Sequence, residues 1–339
     1  MSEYFSTAPK VTEIAGCTLS EIPDDVLNSS KPLILRGLVS QWPLVQAANT
    51  SSKNAIDYIR QYYQGMEIGA FVAGAEQEGR YFYNAEMNGF NFSKQRGNLE
   101  PIFDFFCGQS QPPEQKHIYV GSANVDQVFP GFKNNNNLPA LDKLKPLTSI
   151  WLGNQSRIAA HHDTPQNIAC CVAGKRRVTL FSPEQVENLY IGPLDLTPAG
   201  QAISLVDFHK PDLHKYPKFQ HVKPQIAELQ PGDALVIPSL WWHHVEGLSN
   251  FNALVNFWWS DSPSYSAAPM DALLHALLAI KHLPKEQKQA WKSIYEHYIF
   301  NQDEHAFDYL PEAHKGLMTN KNELAARHLR RYLLNKLNR

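Results

Sequence analysis

The chain has 339 residues, 43% of them hydrophobic, with 31 Lys and Arg against 33 Asp and Glu for a formal net charge of -2. That length can bury a sizeable core and accommodates one large domain or one domain with an appended lobe. The charge balance supplies neither a basic field nor an acidic tail, so no nucleic-acid partner is expected.

The N-terminal MSEYFSTAPK has no basic stretch leading into an apolar one, and no apolar run approaches the roughly 18 residues of a membrane span. A cytoplasmic protein with no membrane partner is expected. The cysteines Cys17, Cys107, Cys170 and Cys171 lack CxxC spacing, and are expected as buried, reduced thiols. In chain order, Pro32 to Leu38 is an apolar run containing Gly37 and predicts a buried strand. Ser52 to Tyr63 predicts a helix, with a Ser cap and Ile56, Ile59 and Tyr63 on one face. Asn134 to Asn137, after Pro130-Gly131, is expected as a surface turn.

From about residue 117 to 260 the pattern is β. His117-Ile-Tyr-Val, Ser149-Ile-Trp-Leu, Ile168-Ala-Cys-Cys-Val, Arg177-Val-Thr-Leu-Phe, Ala234-Leu-Val-Ile and Ala253-Leu-Val-Asn-Phe-Trp-Trp are short candidate strands separated by Pro, Gly and Asn. Many short strands of this kind predict a sandwich or jelly roll. Pro231-Gly232-Asp233 forms a turn ahead of one of them. After Pro263 the period becomes helical. Met270, Leu273, Leu274, Leu277 and Leu278 share one wide face; Trp291, Ile294, Tyr295, Tyr298 and Ile299 mark a second helix, and Leu324 to Leu337 a third. The basic residues ending that third helix suit its negative pole.

Chemistry concentrates at Ala160-His161-His162-Asp163. If this is a strand, His161 and Asp163 share a face and His162 points away. A third ligand must come from a distant strand, and Trp241-Trp242-His243-His244-Val245 offers two histidines. Two imidazoles and one carboxylate on one face of a metal leave open positions opposite, the pattern of non-haem Fe(II) oxygenase sites. Those positions suit a keto-acid and dioxygen, whereas structural zinc sites are closed.

Asn167, the run from Val172 through Phe181, and Pro238-Ser-Leu-Trp-Trp-His-His-Val-Glu resemble the cupin-like JmjC Fe(II)/2-oxoglutarate oxygenases. That group includes the asparaginyl hydroxylase that inhibits hypoxia-inducible factor. Pro32 to Trp42, Arg80-Tyr-Phe-Tyr-Asn84, Ser204-Leu-Val-Asp-Phe and Tyr216-Pro-Lys-Phe extend the likeness over about residues 30 to 260.

The resemblance implies a mainly β fold with helical additions: a double-stranded β-helix (jelly roll, cupin/JmjC) core plus a C-terminal helical bundle. Residues 1–262 would form the catalytic domain, with its core at about 117–262, and 263–339 the helical region. It places the third ligand at His243 rather than His244, completing the catalytic metal set His161, Asp163 and His243. It also places Tyr119, Asn167, Arg176, Asn256 and Trp258 around 2-oxoglutarate. Arg176 stands near the position where relatives carry lysine, and a guanidinium fork can hold a carboxylate in two hydrogen bonds. The competing partner for Arg176 is a surface carboxylate such as Glu184. Ile158 occupies a position that is often Ser or Thr.

The expected activity is a dioxygenase using Fe(II), 2-oxoglutarate and O2 to hydroxylate a side chain of a protein or peptide. The alternatives are a small-molecule substrate and a non-redox metal-binding cupin. The apolar faces of the C-terminal helices must cover either the β-core or a second subunit, and the resemblance implies a homodimer interface there.

Overall fold

The structure is a computed structural model that describes residues 5–108, 116–301, 303, 305–311, 314–315 and 322–338. The chain divides into two compact units, Met1–Asp261 and Ser262–Arg339.

The first unit is built on β1 (Thr12–Ile14), β2 (Leu33–Leu35), β3 (Ile68–Ala73), β4 (Arg80–Tyr81), β5 (Ser93–Gly97), β6 (His117–Asn124), β7 (Leu147–Gly153), β8 (Ser156–His161), β9 (Gln166–Ala173), β10 (Arg176–Phe181), β11 (Gln225–Leu229), β12 (Ala234–Ile237), β13 (Trp242–Gly247) and β14 (Asn252–Trp259). They form a nine-stranded sheet in the order β1-β2-β12-β9-β14-β7-β6-β3-β5 and a five-stranded sheet in the order β11-β10-β13-β8-β4. From β7 to β14 the chain crosses between the sheets at every step except β10 to β11, giving the antiparallel quartets β12-β9-β14-β7 and β11-β10-β13-β8. This is the double-stranded β-helix expected from the sequence. β6, β3 and β5 extend the larger sheet beyond it.

Period-two alternation sorts the side chains. On β14, Ala253, Val255, Phe257 and Trp259 enter the main apolar core, while Leu254, Asn256 and Trp258 line a cavity between the sheets. On β10, Arg176 and Val178 line that cavity, whereas Arg177 and Thr179 face out. The main core packs Trp42, Phe103, Phe129 and Phe132 with residues of the helices Pro43–Thr50, Ser52–Arg60 and Glu100–Cys107. The Ser52–Arg60 helix is capped by Ser51, whose Oγ accepts from the Asn54 amide at 3.0 Å.

Three local expectations change. The early strand is limited to Leu33–Leu35. Asn136 is fully buried within the expected surface turn: its side chain accepts from Leu44 N and donates to Tyr58 Oη and Phe132 O, so it serves as an internal spacer. Cys170 and Cys171 are buried and free, but Cys107 is exposed and Cys17 half-buried.

Among the described residues of the second unit, helices span Pro269–Ile280, Lys285–Tyr295, continued by a π turn at Glu296–Phe300, and Glu323–Leu337; none of these contains a buried residue. Among the described residues no helix is long and apolar enough to cross a membrane.

Candidate metal centre and cavity

His161 ends β8 and stands opposite His243 of β13 in the strand register. One ligand atom from each of His161, Asp163 and His243 lies within 4.8 Å of the others. His243 Nε2 is 3.8 Å from Asp163 Oδ2, and the two imidazole centroids are 4.3 Å apart.

The route to this cluster differs from simple strand alternation. Asp163 lies two residues past the end of β8, in the connection to β9, where its carbonyl accepts from Leu240 N at 2.9 Å. The β8–β13 register also shifts. Val245 pairs with Ile158 and His243 with His161, so one residue of β13 opposes two of β8. That bulge at Ala159-Ala160 turns Ile158 and His161, three residues apart, toward the same cavity. His162 points elsewhere and meets the Trp242 ring edge-on at 4.6 Å. His244 lines a separate cavity on the outer face of the sheet.

Backbone carbonyls orient both imidazoles. His161 Nδ1 lies 2.9 Å from Ala159 O and His243 Nδ1 2.9 Å from Trp241 O. A carbonyl only accepts, so in the neutral form of each ring Nδ1 carries the proton and Nε2 keeps the lone pair a metal requires. Burial, reinforced by His161, pushes the His243 pKa down to about 4. The ring is therefore neutral at physiological pH.

The cluster opens into a cavity of about 390 Å³. Tyr119 enters it from β6, Asn167 from β9, Arg176 from β10, and Asn256 and Trp258 from β14. Arg176 is buried, and among the described residues no carboxylate oxygen lies within ion-pairing distance of it, Glu184 included. Burial lowers its pKa, opposed by Cys171 and Tyr119. Asn256 Nδ2 donates to Asn167 Oδ1 at 2.8 Å, fixing both amides.

Five buried polar atoms of cavity-lining residues have no hydrogen-bond partner: Arg176 Nε, Asn256 Oδ1, Trp258 Nε1, Tyr81 Oη and Trp151 Nε1. Each such atom costs about 1–3 kcal/mol when left unpaired, so the cavity is chemically suited to a polar ligand, and a buried guanidinium without a counter-charge suits a negative one. Sequence reasoning did not single out Tyr81 or Trp151 as site residues. Both were visible within quoted motifs, Arg80-Tyr-Phe-Tyr and Ser149-Ile-Trp-Leu, but their facing depended on the sheet pairing. Pro198, Ala199, Gln201 and Ile203 also line the cavity.

The cupin-like domain family matches residues 19–265. The tRNA wybutosine-synthesizing protein 5 of Mus musculus is 27% identical over 268 residues, 75% of this chain and 79% of that protein. Lysine-specific demethylase 8 of Xenopus tropicalis is 25% identical over 260 residues, 72% of this chain and 51% of that protein. Lysine-specific demethylase JMJ31 of Arabidopsis thaliana is 25% identical over 280 residues, 72% of this chain and 49% of that protein. The chain thus spans about half the length of these two demethylases. Matched over most of its length, and with paired strand quartets around a His-Asp-His cluster, the chain belongs to the cupin-like, JmjC-type domain family.

Proposed function

We propose that this protein is an Fe(II)- and 2-oxoglutarate-dependent oxygenase that hydroxylates a side chain of a protein or peptide. The observation that carries the reading is the buried, carboxylate-free Arg176 lining the same cavity as the His161, Asp163 and His243 cluster. The three side chains would hold the metal through two imidazole lone pairs and a carboxylate, leaving positions open toward the cavity. When bound, Fe(II) and 2-oxoglutarate supply the activation of dioxygen needed to oxidise a C–H bond. Arg176 would take the distal carboxylate of the keto-acid. Tyr119, Asn167, Asn256 and Trp258 surround that position, and Ile158 adds an apolar wall without a hydrogen bond. Phe71, Tyr81 and Trp151 line the same cavity and limit its water.

Anaerobic addition of Fe(II) and 2-oxoglutarate should give a weak visible charge-transfer band that is lost in His161→Ala. Absence of both keto-acid binding and turnover would leave a non-redox cupin. A second substrate class rests on the relatives named for tRNA wybutosine synthesis, while the net charge of -2 offers no long-range attraction for tRNA. Incubation with a cell extract, followed by mass analysis of peptides, tRNA nucleosides and metabolites, separates the readings. An enzyme-dependent oxygen adduct on nucleosides or metabolites alone rules out the peptide substrate.

The same proposal includes a homodimer through the C-terminal unit. Leu278, Ile299 and Leu334 are 76%, 61% and 59% exposed, respectively, which makes these helix faces costly in water. A monomer mass by light scattering at micromolar concentration refutes it.

A further inference from the structure

The outer face of the smaller sheet carries a row of charged residues of both signs. Glu228, Arg177, Glu246, Arg157 and Arg80 are successive cross-strand neighbours on β11, β10, β13, β8 and β4. In the adjacent row, His244 of β13 pairs with Thr179 of β10, which in turn pairs with Ile226 of β11. Above this row Phe208 and the N-terminal segment around Phe5 and Ala8 enclose a cavity of about 120 Å³.

His244 is only 6% exposed, and neither of its ring nitrogens has a hydrogen-bond partner. Its ring packs on Phe208 at 4.8 Å and lines the cavity. An uncharged imidazole presents one donor and one acceptor, and leaving both unpaired indoors is unfavourable. The charged lining carries both signs, Lys10 and Arg177 against Glu228 and Glu246. Arg177 lies 3.1 Å from Glu228 and 3.7 Å from Glu246, and Glu246 Oε1 is 2.6 Å from His209 Nε2. An ion of either sign would therefore meet both charges. Phe5, Ala8, Phe208 and Ile226 supply apolar walls against which a hydrocarbon flank can pack.

We infer that this cavity is a second binding site, for a small uncharged molecule that has a hydrogen-bond donor, an acceptor and an apolar flank, read by His244. The site lies back to back with the metal cluster, because consecutive residues of β13, His243 and His244, project to opposite faces. It makes no use of the inner cavity and stands independently of the proposed oxygenase activity.

The test is a titration of the full-length protein with isobutyramide, using isobutyrate and isobutyramidine as isosteric charged controls. The His244 ring resonances are followed by nuclear magnetic resonance, assigned by their loss in His244→Phe. The amide should shift them saturably. His244→Phe should weaken amide binding about tenfold, the worth of a hydrogen bond to a buried group, and the cavity-filling Ala8→Phe should weaken it at least tenfold by excluding the ligand, both followed by calorimetry. If His244→Phe fails to fold by circular dichroism, Ala8→Phe decides. Non-saturable shifts, equal response to a charged isostere, binding that survives the variants, or a crystal soaked with the amide showing only ordered water at His244 would each overturn the assignment.

Discussion

Replacing Arg176 with leucine should move ligand affinity and stability in opposite directions. The guanidinium is 2% exposed, with Nε unpartnered and no carboxylate in reach among the described residues. If it grips the distal carboxylate of the keto-acid, the substitution removes a charge-assisted pair of hydrogen bonds worth about 3–4 kcal/mol, a rise in Kd of roughly several hundredfold. In the ligand-free protein the same change removes a buried cation without a counter-charge, so folding stability should hold or rise by about 1–2 kcal/mol. The assay pairs a thermal melt of the metal-free protein with an anaerobic titration of the metal-loaded protein. 2-Oxobutanoate, which lacks the distal carboxylate, serves as the control and should bind wild type and Arg176→Leu alike. The reasoning is refuted if 2-oxoglutarate affinity is unchanged, or if both keto-acids lose affinity equally.

Gly174 has φ +71°, and a Cβ there would sit 2.4 Å from Phe251 O and 2.5 Å from Asn252 Oδ1. Gly174→Ala should therefore cost about 2–3 kcal/mol and lower the melting temperature by ~4–6 °C; an unchanged melt would show that this turn tolerates a side chain. Burial holds the His244 pKa at about 4 against 6.5 for a free histidine. The unfolded chain therefore takes up that proton first, and this contribution to stability is complete above pH 6.5 and lost as pH falls toward 4, by up to about 1.4 kcal/mol per unit. The melting temperature of His244→Phe should decline less steeply than wild type over that range, and parallel declines would contradict the buried neutral ring. Asp233 accepts from Gly37 N at 3.0 Å, Gln230 N at 2.9 Å and Arg36 Nη1 at 2.7 Å. Asp233→Ala should lower stability by about 2–4 kcal/mol in urea unfolding, and a midpoint equal to wild type would show these bonds to be dispensable.

Much of the β-core was legible in the chain because its strands are short apolar, β-branched or aromatic runs separated by Pro, Gly and Asn. The segments at Ile168, Arg177, Ala234 and Ala253 all became strands of the two quartets. Three C-terminal helices were likewise written in their 3.6-residue periodicity. The candidate metal residues could be nominated from His161-x-Asp163 and the Trp-Trp-His-His motif, because few residue types bind a transition metal. Alternation did not choose between His243 and His244; that choice came from the family resemblance.

Tertiary pairing decided the rest. The bulge at Ala159-Ala160 exists only because β8 is matched against β13, so the common facing of Ile158 and His161 could not be counted along one strand. Asp163 is held past the strand end by a hydrogen bond from Leu240, a residue 77 positions away. Asn136 reads as part of a polar turn until a helix and Tyr58 close over it. Local sequence sets periodicity and donor chemistry. Which face is inside, and which polar atoms remain unpaired there, depends on strands and loops that meet only when the chain has folded.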